Sequence, residues 1–126
     1  MGRETNFAFG ESLKKRSKEF ALRAVRMFQT LPKSVEAQIM GKQALRSATS
    51  VAANYRAACR ARSGAEFIAK IGIALEEADE TQFWLELLEE SGIVASNKLV
   101  GLKQEAGELT ALLTSIRKSA STKGKQ

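Results

Sequence analysis

Glu76, Glu77, Asp79 and Glu80 are the densest run of chemically capable side chains in this 126-residue sequence. Such a carboxylate run suits general acid–base catalysis, glycosidic bond cleavage by a carboxylate pair, or metal ligation. Helical spacing divides the four: Glu77 falls within the apolar arc of its segment and Glu80 at its edge, whereas Glu76 and Asp79 point outward. Dinuclear iron bundles need inward Glu residues together with a Glu-x-x-His pair on facing helices. The chain has no His, and its other segments supply no matching inward carboxylates, so no metal and no cofactor is expected. The missing His also removes an imidazole base, a Ser-His or Cys-His nucleophile pair and a His-ligated zinc. Cys59 is the single cysteine, so no internal disulfide can form, which suits a reducing cytoplasm. Its place on an apolar helical face reads as a small core residue rather than a nucleophile. These features favour a non-enzymatic protein.

A carboxylate inside an apolar arc needs a partner, because an isolated buried charge costs too much. Lys42, Arg46, Ser50 and Asn54 recur every four residues and form a polar stripe on one helix. A turn near Ser63-Gly64 sets Arg46 opposite residues 77–81, which predicts a link from Arg46 to Glu80 or Glu77. Ser47, Ser50 and Asn54 are expected to add hydrogen bonds. Such a network fixes helix register, and truncating Arg46 would cost about 3–5 kcal/mol if both charges were buried. A catalytic reading would instead need Glu77 or Glu80 open to solvent in a pocket, and the helical pattern implies no sugar-sized cleft.

The elements that position these residues are helices. The composition is 44% apolar and 27% charged, that of one soluble globular domain. Leu13, Phe20, Ala24, Met27 and Leu31 share one stripe, predicting a helix from about Glu11, with Ser12 as N-cap, to Thr30 before Pro32. A second helix starts at Ser34, which caps Glu36 or Ala37, and runs to about Arg62 with Ala44, Ala48, Val51, Ala52, Tyr55 and Cys59 on its apolar arc. A third spans about Ala65 to Glu90 and stops at Ser91-Gly92. The fourth, about Ser96 to Lys118, carries Leu99, Leu102, Ala106, Leu109, Leu113 and Ile116, with Gly101 and Gly107 each costing about 1 kcal/mol relative to Ala. Connections of two to five residues make neighbours antiparallel. The expected fold is all-α, an antiparallel up-down-up-down four-helix bundle over residues 11–118. Residues 1–10 read as a flexible head and 119–126 as a flexible basic tail. No apolar stretch nears the roughly 20 residues that span a bilayer, and Met1-Gly2-Arg3-Glu4 does not read as a signal peptide.

The formal charge of +6 is unevenly spread. Residues 1–62 hold 13 Lys/Arg against four acids, while Gly64–Ser91 holds one Lys against eight acids. Either the basic half pairs with an acidic neighbour or it offers a face to a polyanion. For the second reading the candidate phosphate contacts are Lys14, Lys15, Lys18, Arg23, Arg26, Arg56 and Arg60. No helix-turn-helix, RNA-recognition or zinc-finger pattern accompanies them.

The run Gly41–Ala58, with Gln43, Arg46, Ser47, Ser50 and Asn54, resembles the second helix of the 23S rRNA intervening-sequence proteins. Glu66–Lys70 and Glu77–Leu88, with Glu77, Glu80 and Trp84, resemble that family's third helix. The resemblance covers about residues 20–92, and Glu76 stands where a Lys often precedes the Glu-Ala pair. It implies a small bacterial four-helix bundle that forms ring-shaped homopentamers, and a related fold engages nucleic acid and a reverse transcriptase. The expectation is therefore a cytoplasmic homo-oligomer that binds RNA or DNA through a basic surface. The alternative is a structural or protein-adaptor ring whose charges satisfy one another across subunits.

Overall fold

Serine, proline and glycine punctuate the chain into four helices: α1 (Gly2–Gln29), α2 (Val35–Cys59), α3 (Gly64–Glu90) and α4 (Ser96–Gly124). This computed structural model describes residues 2–124, with side chains from 7 to 122. The Ser34 hydroxyl accepts the Ala37 N–H at 3.4 Å and the Ser63 hydroxyl accepts the Glu66 N–H at 3.1 Å, each satisfying one free donor of a first turn. Gly92 ends α3 with φ 78°, the left-handed conformation that glycine adopts without a Cβ penalty. The N–H groups of Gly92 and Ile93 then reach back to the carbonyls of Glu89 and Leu88.

Three helix ends differ from the sequence expectation, the first being that of α2, which stops at Cys59, a turn short of Arg62. Helical geometry begins at Gly2, so Ser12 lies inside α1 and caps nothing, and α4 continues past Lys118 to Gly124. Neither extension contains Pro, and Gly10 is tolerated within α1 because a helical glycine costs only about 1 kcal/mol. Met1 and residues 125–126, the extremes of the expected head and tail, lie outside the described residues.

Consecutive helices pack side by side, α2 on α3 most extensively, and a narrower α1–α4 contact closes the four-helix bundle. Short connections force the up-down-up-down course. Ala44 and Ala48 of α2 and Ala74 and Ala78 of α3 are fully buried, and side chains this small let helix backbones approach closely. Phe20, Val51, Ile71, Leu85, Leu88, Leu99, Leu109 and Leu113 fill the remaining centre. Gly41 marks a second close approach, because a Cβ there would collide with Leu31 Cδ1 and sit 3.1 Å from Phe28 Cδ1. Among the described residues no helix is long and apolar enough to cross a membrane.

Candidate functional site

The antiparallel α2–α3 pair brings Arg46 onto both predicted acids. Its Nη1 donates to Glu77 Oε2 at 2.7 Å, its Nη2 bonds Glu80 Oε2, and its Nε donates to Gln43 Oε1 at 3.3 Å. The Glu77 hydrogen bond, ahead of the attraction of both acids, raises the guanidinium's pKa. Burial differs from expectation: the Arg46 side chain is 51% exposed, Glu80 40% and Glu77 14%. The network is therefore a surface clamp with one sheltered carboxylate, because Arg46 reaches along the outside of the helix pair rather than between the helices.

The other predicted members divide. Ser47 is fully buried, and its hydroxyl lies 2.8 Å from that of buried Thr81 across the helix pair. Each hydroxyl also sits on a carbonyl of its own helix, Ala44 at 3.2 Å and Glu77 at 2.7 Å. Ser50 and Asn54 do not join Arg46. Asn54 Nδ2 donates instead to the Ser50 carbonyl and hydroxyl, both at 2.9 Å. Asn54 follows Ser50 by one helical turn, so this bond forms within α2 and leaves neither residue reaching α3.

Glu76 and Asp79 are exposed, and neither Glu77 nor Glu80 lines either of the two described cavities. Among the described residues no three His, Cys, Asp or Glu side chains are placed to hold a metal ion. The smaller cavity, about 290 Å³, lies between α3 and α4 around the Lys103–Glu89 pair at 2.8 Å.

The cations converge in a way that sequence order conceals. One end of the bundle gathers the start of α1, the end of α2, the start of α3 and the end of α4. It carries Lys14, Lys15, Arg16 and Lys18 from α1, Arg56, Arg60 and Arg62 from α2 and the turn after it, Lys70 from α3, and Arg117 and Lys118 from α4. Glu11 and Glu66 are the acids within residues 7–18, 54–72 and 115–122, and Glu105 and Glu108 reach in from the middle of α4. Lys14 pairs with Glu11 at 2.9 Å, Arg62 approaches Glu66 at 3.8 Å, and Arg16 reaches Glu105 and Glu108 of α4. The other seven have no carboxylate within 4.0 Å among the described residues.

Five of the seven predicted phosphate contacts, Lys14, Lys15, Lys18, Arg56 and Arg60, belong to this basic pole. Arg23 and Arg26 do not, lying about one and a half and two turns beyond Lys18. Arg26 pairs with Glu19 at 3.4 Å, and Arg23 Nη2 lies 3.0 Å from the position a Cβ at Gly101 would take. Lys70, Arg117 and Lys118 were missed, since single cations on otherwise unremarkable helices give no local signal.

A cavity of about 640 Å³ opens within the pole, lined by Phe7, Phe9, Gly10, Glu11, Lys14, Tyr55, Cys59, Phe67, Ser115, Ile116, Ser119 and Ala120. This corrects two expectations. A sizeable cleft exists, although none of Glu76, Glu77, Asp79 and Glu80 lines it, and Cys59 is exposed in its wall rather than in the core. Cys59 is the last residue of α2, so no further helical turn follows to cover it. Burial, and then the Cys59 neighbour, raise the pKa of the Tyr55 phenol, whose hydroxyl donates to the Gly10 carbonyl at 3.4 Å.

Comparison with known proteins matches residues 12–115 to the 23S rRNA-intervening sequence protein family. The chain belongs to that family. A crystal structure from the S23 ribosomal protein family of Bacteroides thetaiotaomicron, a protein of unknown function, is 40% identical with a TM-score of 0.80, covering 86% of this chain and 97% of its own. No protein with a curated description matches. The 23S rRNA-intervening sequence segment holds the Arg46 clamp, the Ser47–Thr81 pair and all seven predicted phosphate contacts. Seven of the twelve cavity-wall residues, Phe7, Phe9, Gly10, Glu11, Ile116, Ser119 and Ala120, lie outside it.

Proposed function

We propose that this chain is a non-enzymatic, homo-oligomeric bundle of the cytoplasm that binds RNA or DNA through phosphates, without sequence preference, at its basic pole. The observation that carries this reading is the convergence of ten described cations at one end against four acids, Glu11, Glu66 and the two that hold Arg16, Glu105 and Glu108. Phosphate contact needs clustered cations and little else, and each neutralised phosphate releases counterions. Lys15, Lys18, Arg56 and Arg60 are exposed and open to a strand, whereas Arg16 is spent on α4.

Self-association is supported by the opposite side of the α2–α3 pair. Val35 and Ile39 share the Arg46 stripe of α2, and Ile73 and Leu87 lie seven residues either side of Glu80 on α3. All four, with Phe83, are exposed large apolar side chains, more than a scatter of single surface residues. A ring, pentameric as the family resemblance implies, would cover this face and repeat the basic pole on every subunit. Repetition raises affinity for a long polyanion without a new contact.

A salt series of binding, run with single- and double-stranded nucleic acid, tests the reading. The logarithm of affinity should fall linearly with the logarithm of salt, with a slope of about −0.7 to −0.9 per phosphate contacted. Lys15→Glu with Lys18→Glu should flatten that slope, while Lys42→Glu, outside the pole, should not. No complex at low ionic strength would sink it, and a self-associated chain in that experiment would point to the adaptor ring.

A further inference from the structure

We infer that the aromatic cavity of the basic pole takes an unpaired nucleobase, so that the ligand is single-stranded rather than duplex nucleic acid. This rests on the phosphate-binding reading above and adds to it a site for the base. The sequence has eight aromatic residues, six Phe, one Tyr and one Trp. Four of them, Phe7, Phe9, Tyr55 and Phe67, line this one cavity. Phe7 is 70% and Phe9 48% exposed, apolar rings turned to solvent at the most highly charged end of the molecule. Stray surface phenylalanines need no explanation singly, but two beside a buried tyrosine around a cleft form a stacking platform.

The dimensions and the rim fit the same occupant. About 640 Å³ lies within the roughly 300–1,000 Å³ of small-ligand sites. Arg56 directly follows the lining residue Tyr55, Arg60 follows Cys59, and Lys118 precedes Ser119. Side chains of helical neighbours diverge by about 100°, so Lys14 meets the base site itself while exposed Arg56, Arg60 and Lys118 stand outside the cavity for the phosphates that leave it. Lys14 and Glu11, paired at 2.9 Å in the wall, offer one donor and one acceptor to a base edge. Every base has a π face and a polar edge, so this chemistry selects unstacked strands over duplex without reading sequence. An apolar ligand without phosphates would leave the surrounding cations unmatched.

The test uses the full chain with a short single strand, RNA and DNA in separate arms, its abasic counterpart of equal charge, and a blunt duplex. Cys59, the only cysteine and exposed in the cavity, reports occupancy through its alkylation rate. The base-bearing strand should bind about 5- to 100-fold more tightly than the abasic one, as expected for one stacking platform. It should also slow Cys59 alkylation, which the abasic strand and the duplex should leave near the free rate. Phe7→Ala, at an exposed position that leaves the core intact, should erase most of the difference between the two strands, and Phe67→Ala should do the same. Equal binding of both strands with unchanged alkylation overturns the base site while leaving phosphate binding intact. Equal protection by duplex overturns it too, and no binding by any ligand at low salt overturns both readings.

Discussion

Arg16 of α1 holds Glu105 of α4 with both ends of its guanidinium, Nε to Oε2 and Nη2 to Oε1, each at 2.7 Å. The same Nη2 also reaches Glu108 Oε1 at 2.8 Å. Those hydrogen bonds, Glu105 first, raise the guanidinium's pKa further, and Glu108 is held below the usual carboxylate range by Gln104 and then Arg16. The α1–α4 contact is the narrowest side of the bundle, so this fork carries a large share of its closure. Arg16→Lys keeps the charge but loses the planar two-point match, and should cost about 1 kcal/mol. Urea unfolding measures it, and faster amide exchange along α1 than α3 should accompany it. Stability unchanged in Arg16→Lys would show the fork to be incidental.

Arg46→Ala should be milder than a buried ion pair implies. Half-exposed Arg46 is screened by solvent, so a loss of about 1–2 kcal/mol in the single chain is expected, shrinking in high salt. Salt-independent loss of 3–5 kcal/mol would mean that the clamp is buried by another copy.

Ser47 and Thr81 share a proton chain inside the helix pair. Thr81→Val strands the buried Ser47 hydroxyl with only its own helix's carbonyl and should cost about 1–3 kcal/mol. Ser47→Ala combined with Thr81→Val removes both polar groups and should recover much of that loss. A strictly additive double-mutant cycle would contradict the pairing.

Two helical glycines should respond with opposite signs. At Gly107 an added Cβ meets Gln82 Nε2 at 3.5 Å, ordinary contact, so Gly107→Ala should stabilise by about 0.5–1 kcal/mol. At Gly41 the added methyl collides with Leu31 and Phe28, so Gly41→Ala should destabilise by on the order of 1 kcal/mol despite its better propensity. Thermal midpoints of the two variants decide it, and shifts in the same direction would refute the packing argument.

Tyr55 sets an alkaline limit. Burial favours its neutral phenol, so the folded chain ionises it above the ordinary value of 10.0. That contribution is fully present below about pH 10 and is lost as pH rises toward the folded-state value. Because Tyr55 is the only tyrosine, phenolate absorbance follows it alone. Titration at or below pH 10 in the folded protein would show the ring to be solvated.

What the sequence made legible was local or one turn away. Ser34, Ser63 and Gly92 act on their own neighbours, so their cap and stop chemistry could be read directly. The Arg46 clamp followed because a short turn sets the α2–α3 register. Arg16 and Glu105 are 89 positions apart and meet only when the bundle closes, so no turn length places them. Arg23 against Gly101, and Arg117 near Gly72, escaped for the same reason. The cavity was invisible because its walls come from all four helix ends. Phe7 and Phe9 stand in a segment without apolar period, and Cys59 continues the α2 stripe into a turn that nothing covers.

The uneven placement of cations makes the molecule an electric dipole along its long axis, a consequence that reaches past any single contact. Identical copies standing shoulder to shoulder in the same orientation set their positive tips adjacent, and the repulsion grows with each copy added. In a ring of the kind proposed, dilute buffer should therefore favour dissociation, whereas a polyanion threaded across neighbouring tips would act as the clasp that holds them.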